Sequence, residues 1–182
     1  MIYSGTLNIE NRIPRKHIYE GWTEYDIEKD IKGADKLYIV SAVGSLNPHL
    51  KVGDIVMVKD LITLFYQSWK IGPEFTDMSK PFNEEMQNSI LKRYPEMKRV
   101  THAFMRGPRY ETYADNKALM SLGADVVGMS MLPEVIVANK LKIPCVGLCV
   151  VTDDPFAYHS HEEVKRISES REKDLLKILN ER

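Results

Sequence analysis

The run from Gly107 to Asp153, GPRYETYADNKALMSLGADVVGMSMLPEVIVANKLKIPCVGLCVVTD, restricts the possible folds of this chain more than any other part. It predicts, in order, a strand end, an acidic loop, a helix, a strand, a second helix and a final strand. Gly123 stops the first helix, and Pro133 falls in the first turn of the second, where its missing N–H costs nothing. Each strand end carries polar residues: Arg106–Glu111, Gly128–Ser130 and Thr152–Asp154. Strands alternating with helices make an α/β sheet, and such sheets bind ligands beyond the carboxyl ends of their strands. A site is therefore expected at these ends, together with Ser41–Ser45.

The rest of the chain fits the same plan. Met1–Ile9 reads as a strand, with a second possible at Lys16–Tyr19. Thr23 or Asp26 can cap a short helix through Ile31 that ends at Gly33. Lys36–Ala42 and Asp54–Ile62 read as buried strands, and the turn-rich GSLNPHLKVGD lies between them. Leu64–Pro81 has no clear period and reads as a long functional loop. Asn83 caps a helix with acidic residues in its first turn. Val100–Arg106 is a strand, Thr112–Leu122 a helix, Ala124–Met129 a strand, and Pro144–Asp153 a strand. His161–Asn180 reads as one helix, with apolar residues at Val164, Ile167, Leu175, Ile178 and Leu179.

Composition narrows the class of partner. A chain of 182 residues with 43% apolar residues suits one domain, residues 1–182, with a sizeable core. A net charge of −1 gives no reason to expect nucleic acid or an anionic membrane. No apolar run approaches the roughly 20 residues that span a bilayer, and MIYSGTLNIENR lacks the pattern of a secretory signal. Cys145 and Cys149 stand four apart in an apolar run, on one side of a strand and too far apart to bridge easily. They read as buried structural thiols, which suit a reducing cytoplasm.

Seven segments then resemble, in order and spacing, the trimeric purine nucleoside phosphorylase and 5′-methylthioadenosine phosphorylase family. They are HIYEG at His17–Gly21, SAVGSLNP at Ser41–Pro48, VGDIVMVKD at Val52–Asp60, GPRYET at Gly107–Thr112, GADVVGMSMLPEVIVA at Gly123–Ala138, TDD at Thr152–Asp154 and HEEV at His161–Val164. The resemblance implies a single α/β domain with a central mixed, largely parallel sheet flanked by helices. Family members begin with a further strand, a glycine-rich phosphate loop and a phosphate-binding histidine. This chain starts after those features, so the resemblance implies a phosphorylase-like domain lacking them.

The implied reaction is phosphorolysis of a purine nucleoside to free base and pentose 1-phosphate. Phosphate is the co-substrate, with no other cofactor and no metal. For the phosphate, the resemblance assigns Arg15, His17, the N–H of Ala42, and Ser130. Arginine offers a planar fork of donors, and Ser130 precedes a helix whose N-terminus favours an anion. For the sugar it assigns Tyr19, Met129 and His161, with His159 a rival. For the base it assigns Tyr110, Glu111 and Asp153, with Ala42, Val43 and Gly44 lining the pocket. Asp153 would protonate the leaving base if burial raised its pKa. The catalytic set is therefore Asp153, Glu111 and His17.

Plainer roles compete with each of these. Arg15 and His17 can be surface residues, and Tyr19 and Met129 core. Glu111 can serve as a helix cap, Asp153 as part of an Asp-Asp-Pro turn, and His161 as a helix-start surface residue. Glu111 resembles the 6-oxopurine type and Asp153 the 6-aminopurine type, so the 6-substituent stays open. Phe75, in EFTDMS, resembles the phenylalanine that reaches a neighbouring subunit's site, which implies a homo-oligomer, a trimer or hexamer. Three other readings remain: a hydrolase using water, a non-catalytic nucleoside- or nucleotide-binding protein, and a split enzyme with a separate N-terminal chain.

Overall fold

The computed structural model describes residues 1–4, 12–14, 16–67, 75–154, 156 and 160–180. Seven strands run in chain order as β1 (Ile2–Ser4), β2 (Arg12–Pro14), β3 (Leu37–Ser45), β4 (Ile55–Ile62), β5 (Arg99–Phe104), β6 (Val126–Gly128) and β7 (Cys145–Asp153). Six helices lie between and after them: α1 (Glu24–Ile31), α2 (Glu84–Arg93), α3 (Tyr113–Ser121), α4 (Leu132–Lys140), α5 (His161–Ser170) and α6 (Glu172–Asn180). Local chemistry sets the helix starts. Thr23, Thr112 and Ser160 each accept the backbone N–H three residues on, while Asp26, Asp115 and Glu163 reach back to close capping boxes. Asn83 accepts from the N–H of Met86 in the same way.

The sheet order is β2-β1-β3-β6-β5-β4-β7, and β7 also pairs with β3. That last pairing closes five strands into a ring, β3-β6-β5-β4-β7, with β1 and β2 continuing from β3. Only β3–β6 and β4–β7 are antiparallel among the described pairs, so the sheet is mixed and largely parallel. One core cluster runs through Val43, Val56, Val58, Val100, Val126 and Val151, and takes in α1 and α4 through Ile27, Ile31 and Val135. A second packs Ile90 of α2 and Leu175 and Ile178 of α6 against Met57, Val146 and Leu148. A third seats Leu119 of α3 on Ala103 and Val127.

Cys145 and Cys149 are both free and buried in the first cluster. Burial pushes both thiols up, that of Cys145 to about 12. Among the described residues, no helix is long and apolar enough to cross a membrane.

Two expectations need correction. Lys16–Tyr19 is not a strand: the second strand is β2, and Ile18–Glu20 forms a 3-10 turn. The Glu20 carboxylate accepts from the His17 N–H at 2.6 Å, and the Glu20 N–H donates to the His17 carbonyl at 2.9 Å. These local bonds occupy groups that a strand would offer to a neighbour. The helix over residues 161–180 is in fact two, broken at Arg171. There Ser168 and Ser170 donate hydroxyls back to the carbonyls of Val164 and Ile167, and the Arg171 N–H bonds Ser168. Residues 5–9 of the first expected strand and 68–74 of the long loop lie outside the described residues.

Candidate active site

Pairing brings three strand ends to one point. Gly44 near the end of β3 lies opposite Val127 of antiparallel β6 and opposite Asp153, the last residue of parallel β7. Around this point opens a cleft of about 300 Å³. Its lining includes His17, Tyr19, Glu111, Ser130, Asp153 and His161, with Gly44, Tyr110 and Met129 beside them. Larger surface grooves of about 510 and 610 Å³ lie elsewhere, but neither contains a histidine or pairs two carboxylates across strand ends.

At one end, the His17 ring stacks on Tyr19, centroids 4.8 Å apart and planes 13° apart. The Nδ1 of His17 lies 3.1 Å from the Glu20 carboxylate, which the His17 N–H also holds. That backbone bond is the main reason the Glu20 carboxyl sits below its ordinary value. Ser130, 3% exposed, directly precedes Met131, the N-cap of α4. Met131 has φ 84° and gives no side-chain cap. Its side chain is buried against Gly147, where an added Cβ would stand 2.6 Å from the Met131 Sδ. That burial offsets the cost of the left-handed backbone.

At the base end, Thr112 and not Glu111 caps α3, so the capping role expected of Glu111 falls to its neighbour. Asp154, not Asp153, makes the turn, accepting from the Phe156 N–H at 2.9 Å. Both carboxylates that sequence left ambiguous line the cleft, while their neighbours Thr112 and Asp154 make the cap and the turn. Burial, and then the neighbouring Asp153 charge, push the Glu111 carboxyl above its ordinary value against its own backbone bond. The Tyr110 phenol is raised for the same reasons, burial first. Its hydroxyl lies 3.4 Å from the Nδ1 of His161, the first residue of α5. Ser160 caps α5, so the helix-start reading of His161 and its place in the cleft hold together.

The remaining candidates lie apart. Val43 is 2% exposed and belongs to the core, and Ala42 stands behind the lining residue Gly128, its carbonyl 3.2 Å from where a Cβ on that glycine would be. Phe75 is fully exposed and borders another groove, near Lys80 and Pro81. Arg15 and His159 lie outside the described residues. Sequence reasoning named the strand ends Gly128–Ser130 and Thr152–Asp154 but gave no individual role to Glu20, Pro108, Val127, Gly128 or Thr152. Glu20 had one readable signal, an acid three residues after His17; Val127, Gly128 and Thr152 acquire their place through strand pairing, and Pro108 through the loop after β5. Among the described residues, no three His, Cys, Asp or Glu side chains gather as a metal site.

Gly44 tests how tightly the base end is built. A Cβ there would stand 2.8 Å from the Asp153 Oδ2. Gly44→Ala is expected to cost about 1 kcal/mol in stability by displacing that carboxylate. Thermal unfolding checks it; an unchanged midpoint would show that the Asp153 side chain yields without cost.

An α/β domain with two carboxylates, two histidines and a buried serine at its converging strand ends is built to hold a polar small molecule. The family model of the phosphorylase superfamily matches residues 23–181, and this chain belongs to that superfamily. It is 32% identical over 177 residues to the bovine purine nucleoside phosphorylase, covering 82% of this chain and 61% of that one. Purine nucleoside phosphorylase 1 of Bacillus subtilis is 28% identical over 188 residues, covering 91% and 68%. In three dimensions it is similar to isoform 2 of purine nucleoside phosphorylase from Schistosoma mansoni, solved with cytosine and ribose-1-phosphate. There the TM-score is 0.81 at 29% identity, over 92% of this chain and 68% of that one. The chain thus spans about three fifths of the bovine relative's length.

Proposed function

We propose that this chain acts as a purine nucleoside phosphorylase. A phosphate oxygen attacks C1′ of the nucleoside and the C1′–N9 bond breaks. Its electron pair leaves with the base, which takes up a proton, and the sugar becomes a pentose 1-phosphate. The observation that carries this reading is the gathering of His17, Ser130, Glu111, Asp153 and His161 in one cleft, in a chain whose relatives bear that name.

His17, beside Glu20, and Ser130 at the start of α4 hold the phosphate, together with Arg15. Tyr19 and Met129 pack on the ribose while His161 and the Tyr110 hydroxyl meet its 5′ end. The transition state puts negative charge on the departing base. A hydrogen bond that strengthens as this charge develops lowers the barrier. Glu111, with its raised carboxyl, is suited to give that bond, which moves the proton-bearing role from Asp153 to Glu111. The reading needs no metal. It also places the chain in the cytoplasm as a homotrimer, in which exposed Phe75 reaches a neighbouring cleft.

The test measures free base after incubation with inosine, adenosine and methylthioadenosine, each with and without phosphate. Phosphate-dependent release is expected, and Glu111→Gln is expected to lower kcat/KM by roughly a hundredfold. Release that ignores phosphate would mean that water is the nucleophile. Binding without any release would make the chain a nucleoside-binding protein.

A further inference from the structure

Behind the cleft, a buried hydrogen bond joins the loop after β4 to the start of α1. The chain leaving β4 turns at once, with the Tyr66 N–H bonded to the Thr63 carbonyl at 3.0 Å. Leu64 and Phe65 in that turn are exposed, whereas Tyr66 packs its ring edge-on against Phe104, centroids 5.2 Å apart. The Tyr66 hydroxyl donates to the Glu24 Oε1 at 2.7 Å. Glu24 is the first residue of α1, directly after the cap Thr23, and is 2% exposed. Burial, and then the bond to Glu24, push the Tyr66 phenol well above its ordinary value, so it keeps its proton and donates.

A carboxyl is costly to bury, and an apolar residue in its place would pack at less cost. What this pair supplies is one fixed arrangement of the segments it joins. Glu24 follows closely on the turn that carries His17 and Tyr19, and the chain between is held locally. Glu20 closes the turn on His17, and Thr23 and Asp26 cap α1. Lys140 of α4 bonds Glu28 of α1 at 2.9 Å, which ties α1 to the helix that Ser130 precedes. On the other side of the Tyr66 ring, Phe104 ends β5, from which the chain runs on to Tyr110 and Glu111. The charges of Glu134 in α4 and of Arg106 just after β5 also act on the phenol. Tyr66 thus stands where the segments that build the cleft come together, although it is not part of the lining.

We propose that Tyr66 is a positioning residue: through Glu24 it holds the turn that carries His17 and Tyr19 in place, and so sets the affinity of the cleft for phosphate. This rests on the phosphorylase reading above, in which His17 meets the phosphate. Without the hydroxyl, the start of α1 and the turn before it are free to shift. A shift of about 1 Å is enough to weaken a bound ligand tenfold or more. The base end, on the far side of the kept ring contact, is expected to be spared.

The experiment measures kcat and phosphate KM at saturating inosine or adenosine, whichever the native chain cleaves faster, and affinity for the corresponding free base. It compares the native chain, Tyr66→Phe and Glu24→Gln. The phenylalanine variant keeps the ring against Phe104 and lacks only the hydroxyl. It is expected to raise phosphate KM roughly tenfold, with kcat and base affinity within about threefold of native. The glutamine variant keeps an oxygen that accepts, so its phosphate KM is expected to stay within about threefold. A phenylalanine variant below about threefold in phosphate KM would overturn the inference, whatever its thermal midpoint, and so would one whose base affinity falls as far. A glutamine variant that matches the phenylalanine one would overturn it too; each of these leaves phosphorolysis intact. If the native chain releases no base, the phosphorolysis reading fails, and titration of phosphate into the native and Tyr66→Phe chains decides the inference. Binding weakened roughly tenfold then supports it, and equal or absent binding overturns it. If Tyr66→Phe does not fold, Glu24→Asp decides, because its carboxylate is one methylene short of the hydroxyl. A phosphate KM raised about threefold or more supports the inference, and a smaller change overturns it.

Discussion

Acidifying the protein from neutral pH to pH 4 is expected to remove about 3 kcal/mol of stability through one side chain, His102. His102 lies in β5 between Leu61 and Val126, wholly buried, with neither ring nitrogen hydrogen-bonded among the described residues. Burial lowers its pKa from 6.5 to about 4. The imidazole therefore stays neutral in the fold while the unfolded chain takes up a proton below 6.5. Stability from this group is complete above pH 6.5 and is lost as pH falls toward 4, with about 2 kcal/mol gone by pH 5. Carboxylates lowered by hydrogen bonds, such as Asp54 and Asp115, add their own acid sensitivity at lower pH. The comparison that isolates His102 is thus native against His102→Leu, by denaturant unfolding at pH 7 and pH 5. The leucine variant is expected to lose about 2 kcal/mol less than native over that interval. Equal losses would mean that the buried histidine is not the acid-sensitive group.

Gly107→Ala is the second substitution with a large expected effect. Gly107 has φ 70°, and a Cβ there would stand 2.5 Å from the Met129 Sδ and 2.9 Å from the Tyr19 Cδ1. Backbone strain alone costs about 1 kcal/mol or more at such a position. The contacts add to it by pushing apart the two residues proposed to pack on the ribose. We expect a loss of about 2–3 kcal/mol and a nucleoside KM raised at least roughly tenfold. Gly53→Ala is the control: its φ is 93°, but nothing lies within 4 Å of the added carbon. It is expected to share the strain and leave nucleoside binding unchanged. Equal effects of the two variants on KM would show that Tyr19 and Met129 do not shape the sugar site.

Much of the fold was legible because its determinants are local. Thr23, Asn83, Thr112 and Ser160 announce helices through side chains that bond N–H groups three residues away, and the structure places the starts there. The readings that failed did so where equally local chemistry competed. Glu20 turns the chain at His17 where apolar content suggests a strand, and serine hydroxyls interrupt a pattern whose apolar spacing runs through Arg171. Strand pairing was not legible at all. Nothing in Leu37–Ser45 or Cys145–Asp153 says that these two strands pair along nearly their whole length and close the ring.

By itself, the sequence determined an α/β alternation, its caps, its reduced cysteines, and a set of polar residues at strand ends that resembles one family. Only the tertiary structure decided which of those residues meet. Glu111 and Asp153 each had a plain local role available. Thr112 and Asp154 took those roles, and the meeting of β3, β6 and β7 turned the two carboxylates toward one cleft. A one-residue slip between β3 and β7 sets the Thr152 hydroxyl 3.3 Å from the Val43 carbonyl, over a hundred residues away in sequence. Such a relation has no period or spacing to betray it, because hydrogen-bond register between distant strands is settled only when the whole core packs.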